Sequence, residues 1–495
     1  MKAPNELRRT PGAAIPAPLT DYSGTIRNLR RLIILYIVLL VFEGALRKWV
    51  VPQLSNPLLI IRDPVVILIY LLAWRARVFP KNMFVLSLGI IAVLSVALSI
   101  FVLISWVPLI PSLEVTAFGF RSNFLHLPLI FVMAKVFDGD DVRHIGWWIL
   151  LGMIPMGVLM VLQFQASPEA FINRTVGLGE AQQLTAGGGK IRPPGTFSFI
   201  SGPVFYMSVA TAFLIHGALT RSAYKTWLLA GSGAALVVGV AVSGSRSSVA
   251  SVLLVVLSVV LILFVRPQAV NQFGRILVIG VVAALIIVRL PFFNEGVKIL
   301  SDRFASEAEL GETTVIGGML DRTVGGFTEG LSAMNKFPMT GYGLGVGTNG
   351  GGRFLFGRAG FFLSENEWTR VLAESGPILG FAFLLWRTVL TCWLFYRSLV
   401  ALNRGATLPI LLFGSGFVAL LNGQLGQPTN LGFAAVLCGL CLASTRTGKS
   451  EVPAPSSRKK PKMPNEKRLP RVSEYASRLH GSSTGSDQTN GFVDR

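Results

Sequence analysis

The sequence predicts an all-α polytopic membrane protein of about twelve transmembrane helices, interrupted by one long polar loop. Three observations predict it. Of 495 residues, 52% are hydrophobic and only 14% charged, with mean hydropathy +0.59, whereas soluble domains carry about 25% charged residues. Apolar runs of span length recur along most of the chain, and the basic residues crowd into the short segments between them.

A polar segment, 1–31, precedes the first run. It is too long for a typical signal-peptide leader and no small-residue cleavage site follows, so Leu32 onward reads as a retained anchor. Nine runs fill 32–290, near 32–46, 57–74, 83–107, 121–137, 144–164, 196–217, 226–243, 247–265 and 275–290. Residues 291–370 form the long polar loop. Three more runs, near 371–397, 408–423 and 428–445, fill 371–445, and 446–495 is a basic, Pro- and Ser-rich tail expected to be disordered. Charge parity orients the spans. Arg27, Arg30 and Arg31 precede the first run, Arg75, Arg77 and Lys81 follow the second, Arg221 and Lys225 the sixth, and Arg397 and Arg404 the tenth. All lie on one side if both termini are cytoplasmic. The gaps 47–56, 108–120, 165–195, 244–246, 291–370 and 424–427 then face outward.

The net charge of +20 does not indicate nucleic acid, because its positions follow the topology rule. Cys392, Cys438 and Cys441 all fall in apolar runs, which excludes a disulfide framework, and Cys438-Gly-Leu-Cys441 reads as small residues for helix packing. The glycine-rich stretches 341–352 and 186–190 lack the strand–turn–helix setting of a nucleotide loop. They read as turns where glycine permits positive φ and close approach of backbone to a ligand. Four histidines without metal-ligand spacing make a metal-free and cofactor-free mechanism the default.

Candidate site residues come from charges in disfavoured places. A polar loop as long as 291–370 is rarely a simple connector. Lys48, Lys190, Arg192 and Arg246 are outward cations in short or moderate gaps, against the topology rule, and an anionic ligand would explain them. Glu43/Arg47 and Arg370/Glu374 are each four apart and share a helix face, and Arg62-Asp63 opens the second run; their common depth points to a site at the outer face. Arg387 lies deeper and outside this pattern.

Several segments together resemble the O-antigen ligase and O-antigen polymerase superfamily. They are Gly341-Tyr-Gly-Leu-Gly345, then Asn366, Glu374, Gly376 and Gly380; Arg192-Pro-Pro-Gly-Thr-Phe197; Gly244-Ser-Arg246; and Asp321-Arg322 followed by Gly326-Phe327 and Pro338. The resemblance covers roughly residues 190–385. It implies a GT-C-like helical membrane fold that moves a glycan from an undecaprenyl-diphosphate carrier to a hydroxyl acceptor at the periplasmic face of the inner membrane, without metal. It also implies arginines on the diphosphate and a histidine just before the family asparagine. Here Glu365 occupies the histidine position, which puts the catalytic base or the activity itself in question.

The resulting expectation is an inner-membrane, inverting glycan ligase or polymerase. Arg192, Arg246 and Arg322 would grip the leaving diphosphate in two-point contacts, and Glu365 would take the acceptor's proton. Lys190, Asn366, Glu367 and Arg370 would contact substrate, with Glu367 a rival base. Partners would be the lipid-linked donor, a glycan or lipid acceptor and membrane lipids, with no nucleic acid. A transporter or flippase, and a non-catalytic assembly component of the same fold, remain as alternatives.

Overall fold

A computed structural model describes residues 20–176, 184–220, 223–265, 294–299, 301, 325–357 and 362–446. The chain divides into Met1–Lys449 and Ser450–Arg495; the second unit, which holds most of the basic tail, lies outside the described residues. So does the ninth apolar run.

The protein is helical. Seven helical segments among the described residues are long and apolar enough to cross a membrane, and Thr226–Val242, Leu408–Leu421 and Pro428–Ser444 are shorter apolar helices. In order, α1 is Thr20–Ala45, α2 Ser55–Leu58, α3 Arg62–Arg75, α4 Met83–Leu103, α5 Leu109–Phe120, α6 Leu129–Val136 and α7 Gly139–Gln165. Then come a small hairpin, β1 Thr185–Gly187 with β2 Lys190–Ile191, and α8 Ser201–Leu219, α9 Thr226–Val242 and α10 Arg246–Val265. The rest comprises α11 Gly326–Ala333, α12 Asn349–Phe356, α13 Glu367–Asn403, α14 Leu408–Leu421 and α15 Pro428–Ser444. π-Helical turns at Leu46–Val50 and Arg121–Leu125 follow α1 and α5. Helices α8, α14 and α15 are largely buried and pack together: α15 packs on α14 and α6, and α14 on α8. Gly439 of the CxxC segment meets Met133 of α6, and Cys441 Sγ lies 3.3 Å from Ser398 Oγ, so that segment does pack helices.

Two expectations from the sequence need correction. The gap 108–120 is helix α5, not loop. Two of its polar residues are buried against protein, so they lower hydropathy without marking a loop: Thr116 Oγ1 lies 2.9 Å from Ser99 Oγ of α4, and Ser112 Oγ donates to the Pro108 carbonyl at 2.9 Å.

The second correction concerns the tenth run, which is broken. Gly376 has φ 74° and ψ 167° inside α13, followed by Pro377. The half-helix 367–375 therefore folds back on the longer second part of α13: a Cβ on Gly380 would lie 2.9 Å from the Leu372 Cα. Eight residues of straight helix would separate those positions by about 12 Å. Pro377 has no N–H to give the Ala373 carbonyl. The glycine-rich strand supplies it instead, with Tyr342 N donating to Ala373 O at 2.9 Å and Gly343 N to Glu374 O at 3.1 Å. Here glycine permits close approach to neighbouring backbone. A Cβ at Gly341 would meet Glu374 O at 2.4 Å, and one at Gly345 would meet Val115 O at 2.3 Å.

Gly376→Ala combines φ +74° with a Cβ 2.2 Å from Met339 O. It is expected to destabilise by about 2–4 kcal/mol, from the left-handed penalty and overpacking together. Thermal unfolding in mild detergent checks this, and an unchanged midpoint would contradict the break.

Candidate functional site

The break, the two π-turns, the start of α3, the segment before α8 and the start of α15 assemble a buried polar layer. It begins at the end of α1. Arg47 Nη1 donates to Glu43 Oε1 at 3.2 Å, the i,i+4 pair read from the sequence, and to Ser198 Oγ at 3.2 Å, while Nε donates to the Ser55 carbonyl. The other Glu43 oxygen accepts from Arg62 Nε at 3.0 Å, and Arg62 Nη2 donates to the Pro428 carbonyl at 2.6 Å. Asp63 turns away from its neighbour Arg62 and takes Arg121 Nε of the second π-turn at 2.5 Å. Its second oxygen accepts from His126 Nε2 at 2.9 Å. A carboxylate only accepts, so Nε2 carries the proton and Nδ1 accepts from Tyr36 Oη at 2.7 Å.

Asn123, two residues along the same π-turn, joins this to a second group. Its Oδ1 accepts from Arg370 Nη2 at 2.9 Å. Arg370 also holds Glu367 through Nε and Nη2, both at 3.0 Å, and Glu374 through Nη1 at 2.6 Å. Arg387 reaches Glu367 Oε1 at 2.8 Å and the carbonyls of Leu420 and Gly423 at 2.7 and 2.9 Å. Twenty residues of straight helix would put Arg387 about 30 Å from Glu367; only the Gly376 break brings them together.

Charge is unevenly spread. Arg370 and Arg387 balance Glu367 and Glu374. In the other half the three guanidiniums of Arg47, Arg62 and Arg121 share, among the described residues, the two carboxylates of Glu43 and Asp63. Arg121 is buried and its Nη1 has no hydrogen-bond partner among the described residues. A buried unpaired donor is costly, so this half suits an added anion.

Lys48, in the gap outside the spans, is 1% exposed and donates to the Gly195 carbonyl at 2.7 Å. Gly195 belongs to the Arg192–Phe197 segment and is fixed from α7, where Gln163 Oε1 accepts from its N–H at 2.8 Å. Burial pushes the Lys48 amine down to about 7. Below pH 7 both folded and unfolded chains carry its proton; between 7 and the unfolded value of about 10.5 only the unfolded chain does. Wild-type stability relative to Lys48→Met should therefore rise with pH across that window, by up to about 1.4 kcal/mol per pH unit. Parallel pH profiles of the two unfolding midpoints would contradict the burial of this amine.

The sequence-predicted residues fall into two groups. Gly244, at φ +53°, brings its turn against the hairpin: a Cβ there would lie 2.8 Å from Ala186 and 3.9 Å from Arg192 Cγ. Arg246 opens α10 directly after that turn. Arg192 Nε donates to the Thr185 carbonyl at 3.0 Å, and Lys190 Nζ lies 3.6 Å from Glu295. Lys190, Arg192 and Arg246 thus share one edge, continuous through Gly195 with Lys48.

The second group lines a small cleft of Thr348, Asn349, Ser364, Glu365, Glu367, Arg370 and Gln424. Glu365 is exposed there, and its carbonyl accepts from Gln424 Nε2 at 2.5 Å. Asn366 caps the half-helix through Trp368 N at 2.9 Å and donates to Glu329 at 2.9 Å. Glu367 and Arg370, by contrast, are buried and occupied by each other and by Arg387, Glu374 and Asn123. Arg322 lies outside the described residues. Sequence reading missed Arg121, Asn123, Tyr36 and His126, which sit in apolar runs with no spacing signal.

No family model matches this chain, and no curated protein matches it.

Proposed function

We propose that this protein is an inner-membrane glycan ligase or polymerase that moves an undecaprenyl-diphosphate-linked saccharide to a hydroxyl acceptor at the periplasmic face. The proposal includes a twelve-span, GT-C-like architecture with both termini cytoplasmic. The observation that carries it is the cation excess of one half of the polar layer, continued by Lys190, Arg192 and Arg246 on the neighbouring edge. Fixed guanidinium groups stabilise a leaving diphosphate as its charge develops. In this reading the acceptor oxygen attacks the anomeric carbon and the bond to the diphosphate breaks, leaving its electron pair on the lipid carrier. The hydroxyl proton passes to Glu365, the one exposed carboxylate among the described residues that line the Thr348–Gln424 cleft. Arg192, Arg246 and Arg322 hold the diphosphate. Glu367 and Arg370 support the half-helix that presents Glu365, in place of the substrate contacts expected of them.

The test is a membrane assay with lipid-linked donor and excess EDTA. Glu365→Gln is expected to lose transfer at unchanged stability. Glu365→His should retain part of it, with the acidic limb of the pH–rate profile moved to more alkaline pH, because imidazole as a class ionises about two units above a carboxylate. An active Glu365→Gln variant would move the chemistry elsewhere. Activity gained only in Glu365→His would instead mark a non-catalytic relative of such enzymes.

One observation favours a second reading. Discontinuous helices beside buried charges are a transporter feature, and α13 is discontinuous at Gly376. Translocation of a lipid-linked sugar by reconstituted protein, without glycan transfer, would select that reading.

A further inference from the structure

A groove of about 360 Å³ lies on α3, lined by Ile67, Tyr70, Leu71, Trp74 and Phe79. Its size falls at the low end of small-molecule sites, roughly 300–1,000 Å³. Its lining is almost wholly apolar. Of the two polar atoms among its side chains, the Trp74 indole nitrogen and Tyr70 Oη, the second is spent on the Leu125 carbonyl at 2.8 Å, and the Tyr70 ring stands edge-on to Phe79 at 5.6 Å. Trp74 is 74% exposed. An occupant must therefore offer a hydrocarbon tail.

The end of the groove has the opposite character. Trp74 on the helix and Phe79 on the following segment are joined by the turn 75–78, so Arg75 and Arg77 stand where the two walls meet, with Lys81 just beyond. All three are exposed, and none of their side chains has a hydrogen-bond or ion-pair partner among the described residues. Lys135 of α6 adds a fourth cation, its Nζ donating to the Phe79 carbonyl at 3.4 Å. The acidic residues at the start of α7 are otherwise engaged: Asp141 pairs with Arg30 at 3.0 Å, Asp140 with Arg143, and Asp138 caps its own helix.

The backbone at Arg77 points the same way. It has φ 55°, the left-handed conformation that ends α3, with Val78 N and Phe79 N both donating to the Ala73 carbonyl at 2.9 and 3.0 Å. Glycine takes that position without steric cost, whereas an arginine there is strained. That conformation places an exposed arginine on the turn at the mouth of the groove.

We propose that this groove binds an anionic glycerophospholipid, one acyl chain along Ile67, Leu71 and Trp74 and the headgroup phosphate on Arg75, Arg77 and Lys81. An apolar tail bearing a phosphate is the one ligand chemistry that answers both ends together. This site stands on its own observations and is independent of the transfer activity proposed above.

The experiment uses full-length protein in phosphatidylcholine nanodiscs and reads the fluorescence of Trp74, as wild type minus Trp74→Phe. Chain-brominated phosphatidylglycerol is expected to quench that component at least about fivefold more effectively than chain-brominated phosphatidylcholine at equal mole fraction. Arg77→Gly should weaken the preference while raising the unfolding midpoint, because it removes both a cation and the strain. A merely structural arginine would not give that opposed pair of changes. The Arg75→Gln, Arg77→Gly, Lys81→Gln triple variant should bring the two quenchers to parity. Equal quenching in the wild type, or a preference that survives the triple variant, would overturn the proposal.

Discussion

Glu367→Gln is expected to be the most destabilising single substitution in the polar layer, at about 3–5 kcal/mol. Its carboxylate accepts two bonds from Arg370, one from Arg387 and one from the Leu425 N–H at 3.2 Å. Glutamine keeps the volume but removes the charge and turns an NH2 group toward guanidinium donors. Arg370 still has Glu374, but Arg387, with 0% exposure, is left with two backbone carbonyls. The penalty is that of a buried cation stripped of its counter-ion, not the loss of one hydrogen bond. The measurement is the unfolding midpoint in mild detergent, beside Glu365→Gln as a control whose carboxylate is exposed. Adding Arg387→Met should recover much of the loss, since it removes the uncompensated charge. If Glu367→Gln is as stable as wild type, Glu367 is not the keystone of the broken helix and its role as a base returns to consideration.

The contrast between these two glutamates marks the boundary of what the sequence could reveal. Local spacing gave Glu43/Arg47 and Arg370/Glu374, because i,i+4 pairing depends only on a continuous helix. It could not give Arg387 with Glu367. Their separation along the chain is meaningful only once Gly376 and Pro377 have turned the helix back, and a hydropathy run reads straight through such a break. For Arg62 and Asp63 the sequence showed depth but not partners: neighbours on a helix point apart, and each found its partner on another element. Helix α5 was hidden because Ser112 and Thr116 lower hydropathy while bonding to protein. The span pattern itself was plain, since lipid contact acts on every residue of a run. For Arg322, the ninth run and the tail, the expectations fall outside the described residues.

The other large effect belongs to the cationic edge. Arg246→Lys is expected to reduce glycan transfer about 30- to 1,000-fold, the equivalent of about 2–4 kcal/mol of transition-state stabilisation, and Arg322→Lys by a similar factor. Arg246 is the first residue of α10, where the helix dipole disfavours a cation by about 0.3–1 kcal/mol and favours an anion. A phosphate beside that terminus would satisfy the backbone N–H groups and the guanidinium together. The approach of Gly244 to Ala186 and Arg192 sets a second arginine on the same edge, as two-point recognition of a diphosphate requires. Lysine keeps the charge but not the planar fork, so the loss should appear in turnover while membrane insertion and the unfolding midpoint stay near wild type. Arg192→Lys extends the test. If both arginines grip one diphosphate, the double variant should depart from additivity, because residues sharing a ligand couple. Additive losses would place them on separate ligands, and near-normal output from Arg246→Lys and Arg322→Lys would remove the diphosphate from this edge altogether.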